Sequence, residues 1–92
     1  MEMKGGNCMI HKEWRGNKEL ITKLLTKANL MEVSNGGELK KAMKLIIWCK
    51  YVEMMSVNES CAKMLLEHNI DLTERRYYRI LKKAVSILEK YL

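Results

Sequence analysis

From Thr73 to the last residue, apolar side chains fall at a spacing that only a helix with one buried side can use. Tyr77, Ile80, Leu81, Ala84, Val85, Ile87, Leu88, Tyr91 and Leu92 recur at intervals of three and four. Arg75, Arg79, Lys82 and Ser86 take the opposite side, and Arg76, Lys83 and Lys90 flank them. At about 100° per residue the two sets separate cleanly. So strongly divided a helix is marginal alone in water and must lie on an apolar surface of matching size. The rest of the chain has to supply that surface. With 92 residues, 48% of them apolar, it can build one modest core, which predicts a single domain.

The preceding segments supply three more helices. From Asn17, a candidate N-cap, Leu20, Ile21, Leu24, Leu25 and Ala28 predict a first helix running to about Glu32. Ser34-Asn35-Gly36-Gly37 supplies a stop and a new cap. A second helix is expected from Gly37 to Met55, with Leu39, Ala42, Met43, Ile46 and Ile47 inward. Leu45, Trp48, Cys49, Tyr51, Val52, Met54 and Met55 make its second half apolar almost all round. Such a helix is buried on two sides, and in a domain this small the second side points to a subunit partner. The third helix opens at Ser56-Val57-Asn58-Glu59, a capping box, with Cys61, Ala62, Met64, Leu65 and Leu66 expected inward and Asn69 as its stop. Ile70-Asp71-Leu72 forms the turn, and Thr73 or Asp71 caps the fourth helix. Residues 1–16, with Gly5, Gly6 and Gly16, are expected to form an irregular arm anchored by Met9, Ile10 and Trp14; residues 17–92 form the domain. The fold class is all-α.

Composition narrows the function classes. A net charge of +6 gives a moderate attraction to polyanions. Cys8, Cys49 and Cys61 are an odd set, two of them within apolar helical patterns, so a reducing, cytoplasmic setting is expected and no disulfide framework. No stretch reaches the roughly 20 apolar residues of a membrane-spanning helix. The first residues lack the apolar segment of a secretory signal. Catalysis finds no support, because no His, Cys and acid recur at a spacing that forces them together and no Gly-rich phosphate loop precedes a helix. Cys8-x-x-His11 with Cys49, Cys61 and His68 has the wrong spacing for a zinc finger, so no metal or other cofactor is expected. His68 is expected to complement the dipole at the end of the third helix.

The sharpest signal is the sign of charge along the fourth helix. Arg75, Arg76, Arg79, Lys82 and Lys83 follow one another without an acid between them. Arg75 and Arg76 also fall in the first turn, where the helix dipole is positive and cations destabilise by a few tenths of a kcal/mol or more. A phosphate there reverses the sign, because its oxygens accept from guanidinium and from free backbone amides alike. Arg79 and Lys82 lie one turn on, within reach of a base edge or the opposite backbone. Tyr78, at the border of the faces, is placed to bond a phosphate or touch a thymine methyl. Taken alone, a basic face is more often solvated surface; the order cap, short helix, turn, capped basic helix over Ser56 to Lys83 favours nucleic acid.

Over these last 35 or so residues the chain resembles the helix-turn-helix superfamily. Ala62 matches the small residue that lets the two helices cross, Thr73 the cap of the recognition helix, and Thr73-Glu74-Arg75-Arg76-Tyr77-Tyr78-Arg79 its opening. The resemblance implies duplex DNA as the partner. Leu66 to Leu72 is longer than the family's tight turn and offers Asn69 for its Gly, a length commoner in winged helices, although nothing after the fourth helix would form a wing. In size and in Lys and Ile content the chain looks like small DNA-binding proteins of archaeal plasmids and viruses, which repress transcription or bind partition sites. The expectation is therefore a homodimeric, sequence-specific DNA-binding protein, a transcription regulator or else a partition-site binder. Thr73, Arg75, Arg76, Tyr78, Arg79, Lys82 and Lys83 are its DNA contacts. Trp14, Trp48, Tyr51, Val52, Met55, Ile87, Leu88, Tyr91 and Leu92 are its interface candidates. The rival is a protein-interaction module using an apolar stripe of the second helix.

Overall fold

The computed structural model describes residues 12–31 and 37–92. All regular structure among them is helical: α1 (Lys18–Lys27), α2 (Gly37–Ile47), α3 (Val57–His68) and α4 (Glu74–Glu89), with a 3₁₀ turn at Lys12–Trp14 and a π-helical turn, Trp48–Val52, continuing α2. The expected all-α class is what the chain adopts. No described helix is long and apolar enough to cross a membrane.

α4 lies mainly on α2, and the two share one core. Tyr77, Ile80, Leu81, Ala84, Val85 and Leu88 are buried from α4, and Ala42, Met43, Ile46 and Ile47 from α2. Full burial of a Leu or Ile in that layer stabilises the fold by roughly 1.5–3 kcal/mol. Leu39, expected inward, is 43% exposed near the start of α2.

α1 begins as expected, with Asn17 Oδ1 accepting from the Leu20 amide at 3.1 Å. It ends earlier than Glu32. Asn29 takes a left-handed φ of 62°, its amide donates to the Thr26 carbonyl, and the Leu30 amide donates back to Leu25 at 2.8 Å. Those two bonds satisfy carbonyls that α1 would otherwise leave open and turn Leu30 into the core.

In the second half of the second helix, Cys49 and Tyr51 are buried by this chain itself, while Trp48, Val52 and Met55 are partly buried and Met54 is exposed. Trp14 is fully buried, with its ring edge-on to Tyr51 at 5.3 Å. Gly16, at φ +72°, donates its amide to the Tyr51 carbonyl at 2.6 Å. Residues 12–16 are thus joined to the domain through Trp14, one of the expected anchors; Cys8, Met9, Ile10 and His11 lie outside the described residues. The helix also stops short of Met55. Its ladder widens at Trp48, whose carbonyl accepts from the Glu53 amide, five residues on, at 3.0 Å. Met54 then reverses the chain at φ 56°.

α3 opens on the expected box. Ser56 Oγ accepts from the Glu59 amide at 3.2 Å, and the Ser56 amide donates to Glu59 Oε1 at 2.9 Å. Asn69, left-handed at φ 57°, ends it. Its inner face differs from expectation: Ser60 and Met64 are buried with Val57, Cys61 and His68 partly so, while Ala62 and Leu65 are exposed and Leu66 is 82% exposed. From Asn69 the chain reaches Thr73 with Ile70 and Leu72 tucked into the core and Asp71 outside.

Candidate nucleic-acid interface

Thr73 rather than Asp71 caps α4. In extended conformation, at φ −82° and ψ 162°, it turns its Oγ1 to the Arg76 amide at 3.2 Å, while its own carbonyl accepts from Tyr77 at 2.9 Å. The cap satisfies one of the first amides and leaves others facing solvent, at the positive end of a 16-residue dipole.

Around that end the side chains form an open hollow of about 300 Å³, lined by Thr73, Arg75, Arg76 and Arg79. Arg75 and Arg79 are one turn apart, as are Arg76 and Arg79, and Lys82 and Lys83 continue the ridge by another turn. All five cations are exposed, and none closes an ion pair with a described residue. Like charges at these spacings oppose the helix by roughly 0.2–0.5 kcal/mol per pair. Glu74, the one acid in the first turn, offsets part of this. Tyr78 stands 46% exposed beside the ridge, its ring held edge-on to the buried Tyr77 at 5.3 Å. The site therefore gathers, on one side of one helix, all the residues expected to contact DNA.

Beneath the ridge, α4 meets α3 and the π-helical turn through Ser60, not Ala62. Ser60 is fully buried, and its hydroxyl makes no hydrogen bond of good geometry. It is near enough to the Cys49 thiol and the Tyr77 phenol to draw both pKa values down slightly, against the larger upward push of burial. Ala62, the small residue of the resemblance, is exposed. Sequence reasoning missed Ser60 because a serine breaks the apolar stripe.

The interface candidates divide. Trp14, Tyr51 and Leu88 belong to the chain's own core, at 1% exposure or less, which accounts for their apolar character without a partner. Trp48, Val52, Met55 and Ile87 are partly buried, and Tyr91 and Leu92 are exposed. Among the described residues no three His, Cys, Asp or Glu side chains gather to hold a metal, and Cys49 and Cys61 are free thiols. No family model, curated protein or solved structure matches this chain, so the reading of the site rests on its own residues.

Proposed function

We propose that the chain binds duplex DNA through the exposed basic face of α4, as a homodimer that regulates transcription. One observation carries the reading: three guanidiniums surround a hollow at a capped helix N-terminus, with no described acid paired to them. Folding alone disfavours that arrangement, whereas a phosphate stabilises it by accepting from guanidinium and backbone amide together. Arg75, Arg76 and Arg79 hold phosphate or guanine edges, Lys82 and Lys83 add backbone contacts, and Tyr78 and Thr73 complete the footprint. One such helix rarely gives specific affinity, so two copies would address half-sites about 34 Å apart. Binding to a partition site uses the same contacts; it would differ in a footprint that extends as concentration rises.

The test is a mobility-shift and anisotropy series on random duplex at rising salt. A retarded complex at low salt is expected, weakening with a slope near −0.9 per phosphate contacted. Arg75→Ala and Arg79→Ala should each cost about 1–3 kcal/mol if they read bases. Unchanged affinity in the double variant overturns the assignment. A protein-interaction module is the second reading, favoured by Leu65 and by Leu66, whose side chain at 82% exposure has no role inside this chain. It predicts no retarded complex at any salt.

A further inference from the structure

α3 differs from the other described helices in what it shows to solvent. α1, α2 and α4 each expose two or more lysines or arginines, whereas the exposed positions of α3 carry Glu59, Glu67, two asparagines, Ala62, Leu65 and Leu66, and no cation. Its one lysine, Lys63, is partly buried and held by Glu53 at 2.7 Å. Leu66 is 82% exposed and Leu65 46%. Both stand on a helix whose first turn is fixed by a complete capping box, so the face is presented ready-made.

The spacing along that face is the rhythm by which two helices pack. Asn58, Ala62, Leu65 and Asn69 follow one another at four, three and four, with Leu66 on the border of the stripe. At 1.5 Å per residue the stripe is roughly 16 Å long, about three turns. It also matches its own reverse. With a two-fold axis between positions 63 and 64, Ala62 of one copy stands opposite Leu65 of the other, and Asn58 opposite Asn69, each pair occurring twice. A small residue thus meets a large one at the centre, and uncharged side chains meet at both ends.

Charge points to the same occupant. Two chains of net charge +6 repel, so a second copy is best met where neither presents a cation. α3 is the one described helix that satisfies this, and Glu59 and Glu67 beside the stripe lower the local positive charge further. Elsewhere the exposed apolar side chains Leu39, Tyr78 and Tyr91 each have a lysine or arginine next to them in the chain.

We propose that α3 is the face on which two copies pair, antiparallel, with Ala62 of each against Leu65 of the other. The inference rests on the homodimer of the preceding reading but not on its DNA contacts. A three-turn seam is shorter than a standard interface, so the expected dissociation constant is on the order of 10–100 µM.

Sedimentation equilibrium of the full chain without DNA, from about 1 µM to 1 mM, tests it. A monomer–dimer equilibrium is expected, with Leu65→Glu, Ala62→Lys and Leu66→Gln each raising the dissociation constant at least about tenfold while circular dichroism shows the fold retained. Combining Ala62→Lys with Leu65→Glu should restore pairing, because antiparallel copies then set Lys against Glu twice. A double variant no better than the two single ones overturns the antiparallel register. A dimer indifferent to all three substitutions overturns the face, and a chain monomeric at 1 mM overturns the second copy as its occupant, leaving the stripe to another protein. Loss of the DNA complex with the dimer intact would instead defeat the DNA reading and leave this one standing.

Discussion

α3 opens on both halves of a capping box and α4 on only one. In α3, Ser56 and Glu59 bond each other's backbone amides, at 3.2 and 2.9 Å. In α4, Thr73 performs its half at 3.2 Å, but the residue three positions on is Arg76, which cannot accept a hydrogen bond. Arg76→Glu supplies the missing half. A carboxylate accepting the Thr73 amide contributes about 0.5–1 kcal/mol at this exposed site. Replacing a cation with an anion at the positive end of the dipole adds roughly 0.3–1 kcal/mol before salt screening. The repulsion between Arg76 and Arg79 becomes an attraction, worth another 0.2–0.5 kcal/mol or so. Allowing for overlap, the variant should be more stable by about 1–2 kcal/mol, and a domain of this size gains roughly 4–8 °C in Tm per kcal/mol. Thermal unfolding by circular dichroism at low salt, with Arg76→Ala as intermediate, measures that gain. The same variants in DNA anisotropy should move the other way, with Arg76→Glu binding at least about tenfold more weakly, as expected for a lost phosphate contact plus a repelled one. If Arg76→Glu is no more stable than Arg76→Ala, the electrostatic reasoning is wrong. If stability rises while DNA affinity holds, the ridge is surface and not a phosphate site.

Met54 adopts a left-handed conformation that costs an L-residue about 1–2 kcal/mol, and its side chain is 47% exposed. Met54→Gly should therefore raise stability, read by urea unfolding, by about 0.5–1 kcal/mol after the entropy of glycine is counted; a loss of stability would show that the side chain matters more than the strain. Ser60→Leu should cost about 1–3 kcal/mol by overpacking the junction of Cys49 and Tyr77, whereas Ala62→Leu should stay within about 0.5 kcal/mol. Equal effects at both positions would contradict the placement of Ser60. Glu59 has its pKa held below the ordinary glutamate value of 4.5, chiefly because its carboxylate accepts the Ser56 amide. A folded-state pKa below the unfolded one stabilises fully above the unfolded value and fades as pH falls through the folded one. Acid unfolding should hence begin later in Glu59→Gln, relative to its own neutral-pH stability; parallel curves in the two proteins would remove the linkage.

How far the sequence could be read depended on how many helical phases it offered. α4 has one. Its apolar and charged residues segregate so completely that all six of its buried positions, from Tyr77 to Leu88, follow from spacing alone. The basic ridge was legible for the same reason, and Thr73 because caps are local chemistry. What spacing does not contain is where a helix meets a neighbour. Asn29 stops α1 in mid-pattern, because Leu30 keeps the apolar rhythm while its amide folds back on Leu25. The widened ladder at Trp48 has no signature in a run that is apolar all round. Tyr51 looked like surface awaiting a partner because Trp14, 37 positions earlier, is what covers it.

α3 shows why the remainder had to come from packing. Two stripes along it are plausible: Val57, Ser60, Cys61, Met64 and His68, or Ala62, Leu65 and Leu66 with their polar neighbours. Hydrophobicity does not choose between them, since Val57, Cys61 and Met64 in the first offer about as much apolar area as Leu65 and Leu66 in the second. The helix turns the first stripe inward. The capping box fixes where α3 starts but not its rotation, and the rotation is set by what α4 and the π-helical turn bring to the junction. Ser60, not a leucine, is buried beside Tyr77 and Cys49, and Leu65 and Leu66 face out. That choice carries a functional consequence. It places Leu65 and Leu66 on the helix immediately before the basic ridge, where an apolar surface is available for a second chain. Charge reversal at Arg76 and Leu66→Gln therefore probe different things: the first should weaken DNA binding at least about tenfold in a folded protein, and the second should lower the sedimentation coefficient if α3 joins two copies.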